Sequence, residues 1–186
     1  MDVAIGVIFL VVALLCIALT LLAIVRTGFL RLSSTVGIAR DGFPPGKAVP
    51  SWSLPDLEGH LRITPARDHW QLLVFADRSL EAFPELISGM HHLSQQNQEL
   101  EVLVLSRDSI EDCRTSAQEL NLHVPVVPVD RAFYARFRVR VMPFLFFLDP
   151  QGIVRWVGLA SREEQVVHAW RIAQVSLDQS ESSKVM

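Results

Sequence analysis

The stretch "LLVFADRSLEAFPELI", Leu72–Ile87, decides the fold. It opens inside "WQLLVFA", a continuous apolar run of the kind found in strands buried on both faces. After the polar "DRS" the pattern changes. "AFPELISGMHHLSQQ" places Phe83, Leu86, Ile87, Met90 and Leu93 at helical spacing, so an amphipathic helix follows the turn. The stretch is therefore a strand, a turn and a helix, and it raises the question of what the turn carries.

Working outward, elements of both kinds alternate. On the N-terminal side, "SWSLPDLEG" reads as an opening strand and turn, with "EGHLRI" as a short hairpin arm. On the C-terminal side, "LEVLVLS" (Leu100–Ser106) is a second buried strand. "SIEDCRTSAQELNL" begins with Ser109 three residues before Asp112, close to a capping box, and continues as a helix through Leu120. "VPVVPVD" is broken by prolines, which cannot donate to a ladder, and so is not a central strand. "RAFYARFRV" reads as a short helix passing into an extended approach, and "MPFLFFLDPQGIVRWVGLA" as strand, "DPQG" turn and strand. "SREEQVVHAWRIAQVSL" closes as a helix whose Val166, Val167, Trp170 and Val175 share an apolar side. The order β-α-β-α-β-β-α predicts an α/β sheet with a parallel core and an antiparallel edge.

The run Val3 to Val25 holds 23 residues and no charge. As a helix it spans about 34 Å, enough to cross a hydrocarbon core of roughly 30 Å. A cleaved secretory signal would have a basic start, a shorter apolar part and a small-residue cleavage site. Asp2 and "LLAIVRTGFLR" fit none of these, so the run is expected to be a retained anchor whose first partner is the lipid bilayer. The expected organisation is a transmembrane anchor at 1–26, a juxtamembrane linker at 27–48, a globular domain at 49–176 and a disordered tail at 177–186. A net charge of −3 gives no reason to expect nucleic acid as a partner. Cys16 and Cys113, the two cysteines, are too few for a disulfide framework and too differently placed to pair.

Four segments resemble the thioredoxin superfamily. "LLVFADRS" is similar to the strand and loop that lead into its active site, and "VMPF" (Val141–Phe144) to its cis-proline loop. "LDPQGIVRWVG" resembles its hairpin, and "LSRDSIEDCRTSAQELNLHVPVVPVD" the second strand and helix of the redoxin branch, with its peroxiredoxin-like and TlpA-like proteins. A closer resemblance is to the membrane-anchored MauD-like accessory proteins of methylamine dehydrogenase maturation, through "VRTGFLRL" after the span and "GLASREE" (Gly158–Glu164). The resemblance implies a thioredoxin-like fold behind one transmembrane helix. It also implies thiol-disulfide exchange outside the cytoplasm, carried by a C-x-x-C at the head of the first helix. That chemistry needs an exposed low-pKa thiolate and a second thiol to resolve the mixed disulfide.

Here the chain departs from the family. Aligned from Ala76, the two positions are Ser79 and Ala82; one residue further on they are Leu80 and Phe83, and no cysteine occurs from Val74 to Ser106. Dithiol exchange by the family route is unavailable. Ser79 lacks a base nearby in sequence and reads as a helix cap rather than a nucleophile. Cys113 is the sole thiol outside the apolar run; as a redox residue it would need a lowered pKa, but Glu111 and Asp112 adjoin it, with Arg114 a partial offset. His91 and His92, being adjacent, diverge by about 100° on a helix and do not make a chelating pair; they read as solvated histidines. In "ARFRVRV" the residues Arg136, Arg138 and Arg140 would share one face of an extended segment, as an ordinary half-buried edge or as a cationic rim that selects an acidic partner.

The expectation is a single-pass membrane protein whose thioredoxin-like domain has no redox pair and serves as a binding or assembly module. No catalytic residue, metal or cofactor is expected. The binding groove would be formed by Asp77, Arg78, Ser79, Arg140, Met142, Pro143 and Phe144, and would hold a protein partner. The alternative is a thiol-disulfide oxidoreductase or peroxidase-like protein using Cys113. The arginines after the span argue for a cytoplasmic domain, whereas the MauD-like family also has arginines there and exports its domain. On that resemblance the domain is expected outside the cytoplasm of a bacterium.

Overall fold

The computed structural model describes residues 41–182. A short antiparallel hairpin, β1 (Trp52–Pro55) and β2 (Leu61–Thr64), precedes the main sheet. There follow β3 (Trp70–Phe75), a 3-10 turn (Arg78–Ala82), α1 (Pro84–Gln96), β4 (Leu100–Ser106) and α2 (Ile110–Glu119). The chain then forms β5 (Val126–Pro128), α3 (Arg131–Arg136), β6 (Phe144–Leu148), β7 (Val154–Leu159) and α4 (Glu163–Ser182). The five-stranded sheet runs β5-β4-β3-β6-β7, with β3, β4 and β5 mutually parallel and β6 and β7 antiparallel to their neighbours. This is a mixed α/β thioredoxin-like fold, a central sheet flanked by helices. The proline-broken β5 lies at the edge, where a missing amide donor costs no ladder bond.

The central strand explains its own sequence. Every residue of β3 is buried, because helices cover both faces. Leu72, Val74 and Ala76 face a core shared with Leu86, Met90 and Leu93 of α1, Cys113 of α2 and Val166, Ala169 and Trp170 of α4. Phe75 points the other way, into an aromatic cluster with Phe133, Tyr134, Phe137 and Phe146. β6 repeats the alternation, Leu145 and Phe147 facing the helix α1/α4 core and Phe144 and Phe146 the aromatic one. Two apolar layers built on one period-2 pattern hold the sheet centre in place.

The packing of α4 differs from the sequence reading. Its buried stripe is Val166, Ala169, Trp170 and Ala173, while Val175 is exposed. The stripe follows the helical period, and its alanines allow close contact with the sheet. Close approach also accounts for Gly89 in α1, where a β-carbon would stand 3.0 Å from the α-carbon of Glu163. α4 runs to Ser182, beyond the expected domain end at 176. At the other end, residues 42–48, expected to finish a linker, are bonded to the domain: the Gly46 amide donates to Val154 and the Val154 amide to Lys47. Among the described residues no helix is long and apolar enough to cross a membrane. The run Val3–Val25 lies outside them.

"ARFRVRV" is not an extended strand either. α3 ends at Arg136, and the next residues close it: the Arg138 amide donates to Ala135 and the Val139 amide to Tyr134. These two bonds form a Schellman cap, which requires a left-handed residue at Arg138, whose φ is 58°. The arginines therefore do not line one face. Asn121 (φ 48°) closes α2 in the same way, with Asn121 bonded to Gln118 and Leu122 to Ala117.

Candidate functional site

The pairing of β3 with β6 positions the site. Phe75 and Phe144 are register partners, so the loop that follows Phe75 emerges beside the loop that precedes Phe144. The Met142–Pro143 peptide is cis, as the resemblance of "VMPF" implies. Pro143 is buried, Met142 half-buried and Val141 exposed. Leu159, the β7 partner of Phe144, is also exposed and extends this apolar rim. Phe144 itself is buried against Gly42 and Phe146, so it supports the groove from below instead of lining it.

Across the groove, the helix starts earlier than the sequence indicated. Asp77, not Ser79, is the cap: its carboxylate accepts the Ser79 amide at 3.0 Å and opens the 3-10 turn, and Pro84 then begins α1. Of the two pairs that the sequence offers for the thiol positions, Ser79 and Ala82 are both exposed, whereas Leu80 is buried and Phe83 half-buried. The turn is tied to the loop after β4 and to the first turn of α2. The Arg78 amide donates to Asp108 (2.8 Å), the Arg78 guanidinium pairs with Asp112 (3.3 Å), and Arg107 pairs with Asp77 (3.2 Å). Burial raises the Asp77 pKa, but the bonds from Ser79 and the Arg107 charge outweigh it and hold this carboxyl below the usual range. Beneath them the Tyr134 hydroxyl reaches the carbonyls of Ala76 (3.0 Å) and Leu105 (2.7 Å), joining the ends of β3 and β4 through one shared proton. Burial, followed by the charge of Asp77, pushes the Tyr134 phenol far above its ordinary value, so it stays a neutral donor.

Cys113 does not present a reactive thiol. It is 3% exposed, its sulfur lies 3.7 Å from the Asp108 carbonyl, and it borders a cavity of about 20 Å³ walled by Leu80, Ser106 and Leu120. That volume suits about one water. Burial raises the thiol pKa, Asp108 and Asp112 act in the same direction, and only the bond with Ser106 opposes them. Alkylation by iodoacetamide at pH 7 is therefore expected to be at least ~10-fold slower than that of a free thiol in the same buffer. A rate equal to the free thiol's would contradict this burial.

The arginines of the expected cationic rim are engaged elsewhere. Arg140 pairs with Asp41, Arg136 donates to the Ser51 carbonyl, and the Arg138 guanidinium lies 5.1 Å over the Phe43 ring. All three bind the segment that precedes β1. Asp56, Glu58 and His60 come together in the β1–β2 turn, but both Asp56 oxygens are occupied, one by the Glu58 and His60 amides and the other by Arg62. A carboxylate already paired with a guanidinium caps the turn and offers a cation little.

His91 departs from the solvated reading. Its Nε2 accepts the His123 amide at 3.1 Å, and the two rings lie 5.1 Å apart. Burial, then the charge of His123, lowers the His91 pKa below 6.5. The unfolded chain therefore binds this proton more readily, so the contact stabilises fully above pH 6.5 and loses its effect as pH falls through the lowered value. The urea midpoint is expected to drop over that window, and His91→Gln, which keeps an acceptor without a titration, to flatten it. An unchanged slope in His91→Gln would remove His91 as the cause.

No protein-family profile matches the sequence, and no curated protein matches it. Solved structures do. A Chlorobium tepidum protein designated thiol:disulfide interchange protein DsbE superposes with a TM-score of 0.64 at 16% identity, covering 73% of this chain and 99% of that one. A thiol:disulfide interchange protein from a Bacteroides species gives 0.58 at 14% identity, covering 71% and 91%. The peroxidoxin BcpB of Mycobacterium tuberculosis gives 0.56 at 15% identity, covering 70% and 96%. At these identities the likeness is one of fold, and the fold that this chain shares with those proteins is thioredoxin-like.

Proposed function

We propose that this protein is a membrane-anchored, thioredoxin-like module that holds a protein partner in the groove between the Asp77–Ala82 turn and the Val141–Pro143 loop, without dithiol chemistry. One observation carries the reading: the turn opened by Asp77 and the cis Met142–Pro143 loop are both present, while no cysteine occurs from Val74 to Ser106, so neither Ser79 and Ala82 nor Leu80 and Phe83 supplies a thiol pair. The exposed Val141 and Leu159 beside a half-buried Met142 offer an apolar strip, the kind of surface that an extended segment of a partner covers. The anchor at Val3–Val25, the MauD-like or TlpA-like affiliation and the extracytoplasmic placement belong to the same proposal. A reporter fused after Met186 that is active only in the cytoplasm would refute the placement.

The groove is tested in the full-length protein in its native membrane, with a photocrosslinker at Val141 and a control crosslinker at exposed Gln118 on α2. One discrete adduct at Val141, absent at Gln118 and reduced at least ~10-fold by Met142→Glu, is expected. Cys113→Ala should leave the yield unchanged. If Met142→Glu folds and leaves the adduct intact, the groove does not hold the partner. Loss of the adduct in Cys113→Ala would instead favour a redox role for that thiol.

A further inference from the structure

We propose that Asp41–Val49 is a strap that sets the conformation of the loop at 138–143, so that the groove takes a partner only while the strap is seated. The binding part of this rests on the groove reading above; the structural part does not.

The strap is held along its length. Asp41 pairs with Arg140, the Gly42 amide donates to the Arg138 carbonyl (3.0 Å), and the Phe43 ring lies under the Arg138 guanidinium and meets the Phe137 ring in a T-shaped contact (6.2 Å between ring centres). Further on, the amides of Gly46 and Val49 donate to Val154 and Gly152, and the Val154 amide returns a bond to Lys47. The first three contacts all fall on the residues that connect α3 to Pro143. That connection needs the outside support, because it has no strand ladder and turns on Arg138. A left-handed residue at a Schellman cap is usually glycine, since a β-carbon makes the conformation unfavourable. Here an arginine holds it, with its carbonyl bonded to Gly42 and its side chain laid on Phe43.

Gly42 fits for a complementary reason. Its φ is 75°, and a β-carbon there would come within 2.9 Å of the Phe144 ring and 3.0 Å of the Phe146 ring, both buried. The same ring of Phe144 opens β6 next to Pro143. The strap's seat and the groove's floor are thus one packed unit. The chain reaches that unit at Asp41 from its N-terminal side, so whatever displaces residue 41 acts first on the loop that borders the groove.

The test is amide hydrogen exchange on the full-length protein in detergent micelles. Arg138 and Val139 report the loop, since their amides are bonded to Ala135 and Tyr134; Val104 in β4 reports the core. Gly42→Ala is the strong variant, and the Asp41→Asn/Phe43→Ala pair is a milder one that introduces no clash. Either is expected to raise exchange at Arg138 and Val139 at least ~10-fold with Val104 unchanged, and to lower the Val141 adduct by a similar factor. Faster exchange at Gly46 and Val49 with wild-type rates at Arg138 and Val139 would overturn the proposal. So would a loosened loop with a full adduct yield. If the wild type forms no adduct at Val141, the groove reading fails, and the exchange rates still decide whether the strap sets the loop.

Discussion

A Ser79→Cys/Ala82→Cys variant is expected to close an intramolecular disulfide and to reduce insulin about 100-fold faster than the parent chain, in which Cys113, the one cysteine among the described residues, is buried. Residues three apart eclipse on a 3-10 turn, so both introduced sulfurs would lie on the exposed side of Arg78–Ala82. They would also sit at the helix start, where backbone amides favour a thiolate. Asp77 opposes that effect, because its carboxylate is ionised and bonded to the Ser79 amide. Adding Asp77→Asn is therefore expected to lower the pKa of the thiol introduced at Ser79, read from the pH dependence of alkylation. Leu80→Cys/Phe83→Cys is the comparison, and it should do neither, since Leu80 is buried. Failure of the first pair to oxidise in a glutathione buffer would show that Ser79 and Ala82 are not the positions that the fold reserves for thiols.

Phe137→Ala is expected to have the largest effect on stability. Phe137 is fully buried and meets Phe43, Phe75, Phe133 and Phe146, stacking on Phe133 with ring centres 4.9 Å apart. Removing such a ring typically costs about 3–5 kcal/mol, from a total domain stability of about 5–15 kcal/mol. By urea denaturation the midpoint should fall sharply, and the melting temperature by roughly 10 °C. Val175→Ala, at an exposed α4 position, should change stability by less than about 0.5 kcal/mol. A loss below about 1 kcal/mol in Phe137→Ala would mean that the aromatic layer does not act as a second core. The same residue joins β3, α3, β6 and the strap, so its loss should loosen the groove as well.

Several features were legible because they depend on local pattern. The buried run "WQLLVFA", the period of "AFPELISGMHHL" and the "DPQG" turn each state their element within about ten residues. The Ser109 cap was legible too, as its oxygen bonds the Asp112 amide three residues on. The cis proline was reached only through resemblance. The misread segments share a different property. "ARFRVRV" alternates like a strand, yet Arg138 turns left-handed to close α3, and Gly42 and Phe43, about a hundred positions earlier, bond and stack against it there. Ser79 looked like a cap until Asp77 took that bond, and Asp77 is oriented there in part by Arg107 from another loop. His91 looked solvated because its partner, His123, is 32 residues away.

The sequence by itself determined most of the order of elements, though not the edge strand β5, together with the central strand and the absence of a thiol pair at the turn, since each is written in adjacent residues as hydrophobic period, turn chemistry or residue type. Only the tertiary structure decided what surrounds that turn. The engagement of the arginines with the strap, the burial of Cys113 and Phe144, and the exposure of Val141 and Leu159 arise from contacts between distant segments. Their physical basis is geometric: a side chain's partner and solvent exposure are set by what packs across from it, and a one-dimensional pattern carries no direct record of that.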